Sequence, residues 1–242
     1  LRLEMVVIVG WGVTLFVLGA SYGSIFADIE MFFATSELYQ QLLPFVEGFS
    51  FTDQFVAMLL SVMSMMNVIP AILVMGRLKG EETSNRIEPL LARAVSRQTL
   101  MGSYLLVSVL VAAAMQFLSV LGLWSAAAAV MEEPIHLGQT LQGVFLYLPS
   151  LWIMVGLTAV LVAAAPKAMG AIWLYLGYAF LVVYLGALLP FPHWMRTLTP
   201  FGHVPSVPLE SANAGQTGLF LLIAAFLMGL AVALYRQRDI YG

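Results

Sequence analysis

Half of the Lys and Arg residues of this 242-residue chain, five of ten, fall in one stretch, Arg77 to Arg97, which reads RLKGEETSNRIEPLLARAVSR. The residue types there suit docking rather than bond-making. Glu88 can cap a short helix opened by Pro89, a position where the missing N–H costs little. Leu90, Leu91 and Ala94 then share one face, and Arg93 and Arg97 take another. Such a helix, lying under a membrane, can be pushed by a soluble partner and can pass the movement to the apolar segments on either side. The alternative is a solvated loop whose arginines only set topology. The residues alone leave both open.

A second group lies in the apolar run FVAMLLSVMSMMNVIPAILVM, residues 55–75, with Met58, Met63, Met65, Met66 and Met75 beside Asn67 and Pro70. Methionine is pliable and suits surfaces that accept varied apolar ligands. An Asn next to a helix-distorting Pro lines a path, or else it bonds a neighbouring backbone in ordinary packing. Gly19 and Gly23 form a GxxxG, read as close helix packing.

Catalytic chemistry finds no support. No GxxxxGK[ST], HExxH or GxSxG occurs, so ATP hydrolysis by this chain is not expected. His136, His193 and His203 fall in loops without metal spacing, and Cys is absent, which removes disulfides and thiolate metal sites. No cofactor or metal is expected in this chain.

The elements that position these residues follow from composition. Only 10% of residues are charged and 61% are hydrophobic, against roughly 25% charged in soluble domains. Six apolar segments, near 5–26, 55–75, 100–123, 141–165, 171–189 and 217–235, are each long enough to cross a hydrocarbon core. Helices are expected, since lipid offers the backbone no partners and the runs lack the alternation of a membrane barrel. With six spans, nine of the ten basic residues fall on one side, and only Arg196 falls on the other. That split places both termini and the 77–97 loop in the cytoplasm. The opposite side carries eight acids, so the net charge of −3 gives no reason to expect nucleic acid.

The first run has no cleavage site and is read as a span rather than a signal. The chain opens on Leu rather than Met, as a processed or truncated piece of a longer protein would. Three outer loops are expected, 27–54, 132–140 and 190–216. The first mixes acids with aromatics and is read as interfacial helices. The third helix, at about 48 Å, exceeds a bilayer core and must tilt or project. Residues 166–170 make a short turn, so the fourth and fifth spans are antiparallel neighbours. Segment 190–216 holds five of eleven prolines and cannot be one continuous helix; a broken, partly re-entrant element is expected.

The run EETSNRIEPLLARAVSRQTLMGSYLL resembles the cytoplasmic coupling segment of type 2 ABC exporter permeases. GASYGSIFADIEMFF, TPFGHVPSVPLE and the terminal YRQRDIYG resemble the same family, in the same order and on the same sides. The likeness runs from about Gly19 to the C-terminus and is nearest to the second half of twelve-span antibiotic or polyketide exporter permeases. Pro89 departs from the pattern, which usually continues the helix there.

The resemblance implies an all-α, six-span domain over 1–242, with a cytoplasmic coupling helix and a re-entrant outer segment before the last span. It implies pairing with a second six-helix half, identical, homologous or fused, and contact with an ATP-binding subunit that carries ATP and Mg. Glu81, Glu82, Arg86, Glu88, Leu90, Leu91 and Arg93 would form the coupling surface. The second and fifth spans would border the export path, with Met63, Met66, Asn67 and Pro70 on one wall and Tyr175 and Tyr178 on the other. The compound moved would be hydrophobic or amphipathic, out of a prokaryotic cell. An ion-coupled secondary transporter would need ionisable residues within the spans, and a membrane enzyme a catalytic cluster at depth; neither is found. The alternatives to an exporter half are therefore an ion-coupled secondary transporter, disfavoured by the apolar spans, and a membrane scaffold without catalysis.

Overall fold

In the computed structural model, residues 2–26, 50–83, 96–131, 135–187, 191–207 and 209–237 are described. They form helices α1 (Arg2–Ser24), α2 (Phe51–Thr83), α3 (Arg97–Val130), α4 (Leu137–Ala164), α5 (Ala171–Tyr184), the short α6 (His193–Thr197) and α7 (Ala214–Gln237). There is no strand among the described residues. All but α6 lie within segments long and apolar enough to cross a membrane. The chain thus crosses back and forth six times. Arg2, Thr83, Arg97, the turn 165–170 and Gln237 lie at the terminal end of the bundle. Ser24, Phe51, Val130, Leu137 and the 185–213 connection lie at the distal end.

Two helices are longer than hydropathy indicates. α2 has 33 residues and α3 has 34, about 50 Å each, against a hydrocarbon core of roughly 30 Å. At the distal end α2 starts at Phe51, inside the expected 27–54 loop. Ser50 Oγ accepts from the Asp53 amide at 3.1 Å while the Asp53 carboxylate accepts from the Ser50 amide at 3.0 Å, a reciprocal N-terminal cap. At the terminal end α2 continues to Thr83, so the first seven residues of the charged run are helix and not loop. Arg77 and Glu81 are four apart and Lys79 and Glu82 three apart, the spacings that stabilise a solvated helix. All four take part in interactions. α3 starts with Ser96 Oγ accepting from the Thr99 amide, and α4 starts at Leu137, inside the expected 132–140 loop.

Glycines set the tightest packing. A Cβ on Gly19 would collide with the Ser119 carbonyl, one on Gly23 with the Leu123 carbonyl, and one on Gly122 with the Phe16 carbonyl. The GxxxG of α1 therefore lets two parallel helices touch backbone to backbone, as small-residue motifs do in lipid. α4 is the most enclosed span, while α1, α5 and α7 keep most of their surface outside the bundle. Their outward side chains, such as Val9, Val13, Leu174, Leu222 and Phe226, are apolar and exposed, as a lipid-facing surface requires.

Candidate functional site

The connection between α5 and α7 folds back into the bundle. After the 3₁₀ turn Leu185–Ala187, α6 and a second 3₁₀ turn, Pro200–His203, carry the chain inward. The Tyr178 hydroxyl donates to the Met195 carbonyl at 2.8 Å, and the Tyr175 hydroxyl to the Leu198 carbonyl at 2.7 Å. Tyr175 lies about 2.5 helical turns, or roughly 13 Å, inside the distal end of α5. Ser150, near the middle of α4, donates to the Pro200 carbonyl at 3.1 Å, and Phe201 beside it is buried in the core. The expected re-entrant segment is present.

Irregular backbone survives at this depth only if its polar groups find partners within the protein. The side chains are placed accordingly. Thr199 Oγ accepts from the Phe201 amide at 3.1 Å, and Gln216 Nε2 donates to the His203 carbonyl at 2.6 Å. Prolines 200 and 205 bring no N–H that would need one. Gly202 is required by space: a Cβ there would collide with the Arg196 carbonyl and press on its Cγ. Trp194 and Leu198 of this segment are exposed, on the outside of the bundle.

The re-entrant segment bounds a cavity of about 400 Å³ at the distal end, walled by Met58 and Val62 of α2, Val182 and Val183 of α5, and His193 and Arg196 of α6. The second and fifth spans thus face one another across a space that the re-entrant element helps to close. Arg196 and His193 were not singled out from the sequence as site residues. The signal was available, because Arg196 is the only basic residue on its side.

The other polar feature is a buried side-chain cluster between α2 and α3. Asn67 Nδ2 donates to Gln116 Oε1 at 2.8 Å and to Ser119 Oγ at 2.6 Å, and Gln116 Nε2 donates to Ser64 Oγ at 2.8 Å. All four residues are fully buried. Asn67 Oδ1 has no hydrogen-bond partner among the described residues. Asn67 is thus bonded to side chains of α3 rather than to a neighbouring backbone.

Of the other residues singled out, Met63 and Pro70 are buried, Met66 is half-buried, and none of these three lines the distal cavity. Pro70 deprives the Met66 carbonyl of its usual helical donor. Tyr175 and Tyr178 stack with ring centroids 6.4 Å apart and anchor the re-entrant segment. Glu81 and Glu82 sit on the terminal extension of α2. Arg86, Glu88, Leu90, Leu91 and Arg93, with the short helix expected there, lie outside the described residues, as do most of the 27–54 loop and the terminal RDIYG. No group of three His, Asp or Glu that could hold a metal ion occurs among the described residues.

Six apolar crossings and a broken segment tucked between the last two define an all-helical, polytopic membrane protein. The profile of the family described as "Multidrug efflux system permease Rv1217c, C-terminal domain" matches residues 1–236, and the chain belongs to that family. It is 29% identical over 239 residues to the "Multidrug efflux system permease protein Rv1217c" of Mycobacterium tuberculosis (strain ATCC 25618 / H37Rv). The match covers 95% of this chain and 42% of the relative, so the chain spans about two fifths of that protein's length. This bears out the resemblance to the C-terminal half of an exporter permease.

Proposed function

We propose that this chain is the membrane-spanning half of an ATP-driven exporter in a prokaryotic cytoplasmic membrane, moving a hydrophobic or amphipathic compound outward. The observation that carries the reading is the re-entrant segment, which closes a cavity between α2 and α5 in a chain whose family is that of an efflux permease. α2, through Met58 and Val62, and α5, through Val182 and Val183, form opposite walls of the path, while Asn67 ties α2 to α3 and Tyr175 and Tyr178 hold the re-entrant segment in place. Both termini and the charged run face the cytoplasm, in keeping with the nine-to-one split of basic residues. The chain makes no covalent bonds. ATP and Mg belong to a separate ATP-binding subunit, and a second six-helix half, identical, homologous or fused, completes the path.

Glu81, Glu82, Arg86, Glu88, Leu90, Leu91 and Arg93 form the surface that meets the ATP-binding subunit. Closure of that subunit moves the helical end of α2 and the start of α3, which flank this surface. The test is co-purification of the ATP-binding subunit, followed by ATPase and efflux assays. Arg86→Glu with Arg93→Glu reverses two contact charges and is expected to weaken docking, since attraction becomes repulsion. Three basic residues remain in the run to hold its orientation. Leu90→Asp with Leu91→Asp removes the apolar face of the short helix and is expected to reduce docking and efflux together. If both pairs leave binding, ATPase activity and efflux intact, the run only sets topology.

A further inference from the structure

The distal cavity combines a long apolar wall with one fixed positive charge. Met58 and Val62 of α2 face Val182 and Val183 of α5, and Arg196 with His193 stands on the α6 side. Its volume of about 400 Å³ lies within the range of small-molecule sites, roughly 300–1,000 Å³. No Asp or Glu is among the described residues that line it. The described carboxylate bonded to a lining residue is Glu210, which accepts from the Ser206 amide at 3.0 Å.

Arg196 is also held in place. Its carbonyl accepts from the Thr199 amide at 3.3 Å, and Gly202 packs against that carbonyl and the Arg196 Cγ. The preceding carbonyl, of Met195, is bonded to Tyr178, about 9 Å inside the distal end of α5. The Arg196 side chain is exposed at the cavity rather than shut into the core, so its guanidinium is open to a ligand entering there. Guanidinium offers a planar pair of donors that fits a carboxylate or phosphate bidentately.

We propose that this cavity binds an acidic amphiphile, whose carboxylate or phosphate pairs with Arg196 while its apolar chain lies between α2 and α5. The ligand is either an anionic lipid of the adjoining leaflet or a free acidic amphiphile. The assignment deepens the export reading by naming the chemistry of a ligand at the path, yet binding to it requires neither ATP nor a partner subunit. Loss of the export reading would therefore leave this test intact.

The full chain is purified and placed in phosphatidylcholine nanodiscs, and binding of radiolabelled laurate is measured, with dodecyl phosphate, dodecanol and dodecyltrimethylammonium as competitors. Saturable laurate binding is expected, displaced by dodecyl phosphate and much less by the neutral and cationic chains. Arg196→Gln is expected to weaken laurate about tenfold or more while leaving dodecanol unchanged, since a charge-assisted pair is lost. Arg196→Lys keeps the charge but loses the paired donors, and its affinity is expected between those of the wild type and Arg196→Gln. Val62→Trp fills the apolar wall and weakens laurate and dodecanol alike. Gly202→Ala displaces the arginine backbone and weakens laurate selectively.

Adding phosphatidylglycerol to the nanodiscs separates the two sources. Loss of laurate binding there identifies the anionic lipid as occupant, and unchanged binding identifies a free amphiphile. Absence of saturable laurate binding, equal competition by dodecanol, or wild-type laurate affinity in Arg196→Gln overturns the proposal.

Discussion

Replacing Asn67 by Leu separates the two roles open to this residue. The substitution removes both Nδ2 hydrogen bonds, to Gln116 and Ser119, from a cluster with no access to solvent. Interhelical hydrogen bonds in membranes average about 0.6 kcal/mol and reach about 1.7, so two give roughly 1–3 kcal/mol. Gln116 Oε1 loses its donor, but Asn67 Oδ1, which has no partner among the described residues, disappears with the side chain. These two terms oppose one another, and the net destabilisation stays at about 1–3 kcal/mol. The assay is reversible unfolding in mixed micelles titrated with dodecyl sulfate, for Asn67→Leu, Gln116→Leu and the double variant. The double variant is expected to lose less than the sum of the singles, by about 1 kcal/mol, because the second change breaks a bond already gone. If Asn67→Leu abolishes efflux with wild-type stability and no coupling to Gln116, the packing argument is refuted and Asn67 acts by facing the path.

Three further outcomes are expected. Gly19→Ala and Gly122→Ala each force a Cβ into a facing carbonyl and should destabilise by about 1–3 kcal/mol. Gly10→Ala, which meets nothing within 4 Å, should be neutral or stabilising in the same micelle titration; equal effects at all three sites would remove the contact between α1 and α3. Tyr175→Phe with Tyr178→Phe leaves the Leu198 carbonyl without a donor and the Met195 carbonyl with only the Leu198 amide, and should increase trypsin cleavage at Arg196, with unchanged cleavage refuting the anchoring role. Single cysteines introduced as Glu47→Cys, Glu133→Cys and Ser211→Cys should react with an impermeant reagent in intact cells, and Ser84→Cys and Gln237→Cys only after permeabilisation. Labelling at Ser84→Cys in intact cells reverses the orientation.

The crossings were legible because a 20-residue apolar run has few other uses, and the re-entrant segment because five prolines cannot share one helix. Helix ends were less so. Hydropathy falls off after Met75, but the helix does not, because Arg77, Lys79, Glu81 and Glu82 have spacing that supports further turns. The polar cluster was half visible. Asn67 stands out in its span, whereas its partnership with Ser64, Gln116 and Ser119 depends on the register between two helices, which no local pattern encodes. The depth of the re-entry also rests on tertiary partners: Ser150 is an ordinary span residue until the Pro200 carbonyl is brought to it.

The turn between α4 and α5 gives α2 a mechanical asymmetry. A Cβ on Gly76 would strike the Met169 methyl, so the turn's side chain rests in a notch on the helix near its terminal end. From that point α2 extends about 10 Å to Thr83 and about 37 Å to Phe51. If Met169 serves as a fulcrum and the helix tilts as a rod, a 1 Å push at Thr83 becomes a swing of about 3.5 Å at Phe51. Pro70 lies on the long arm, between the fulcrum and the cavity wall. Bending at Pro70 would take up part of that swing before it reached Met58 and Val62, whereas a straight helix would pass it on in full.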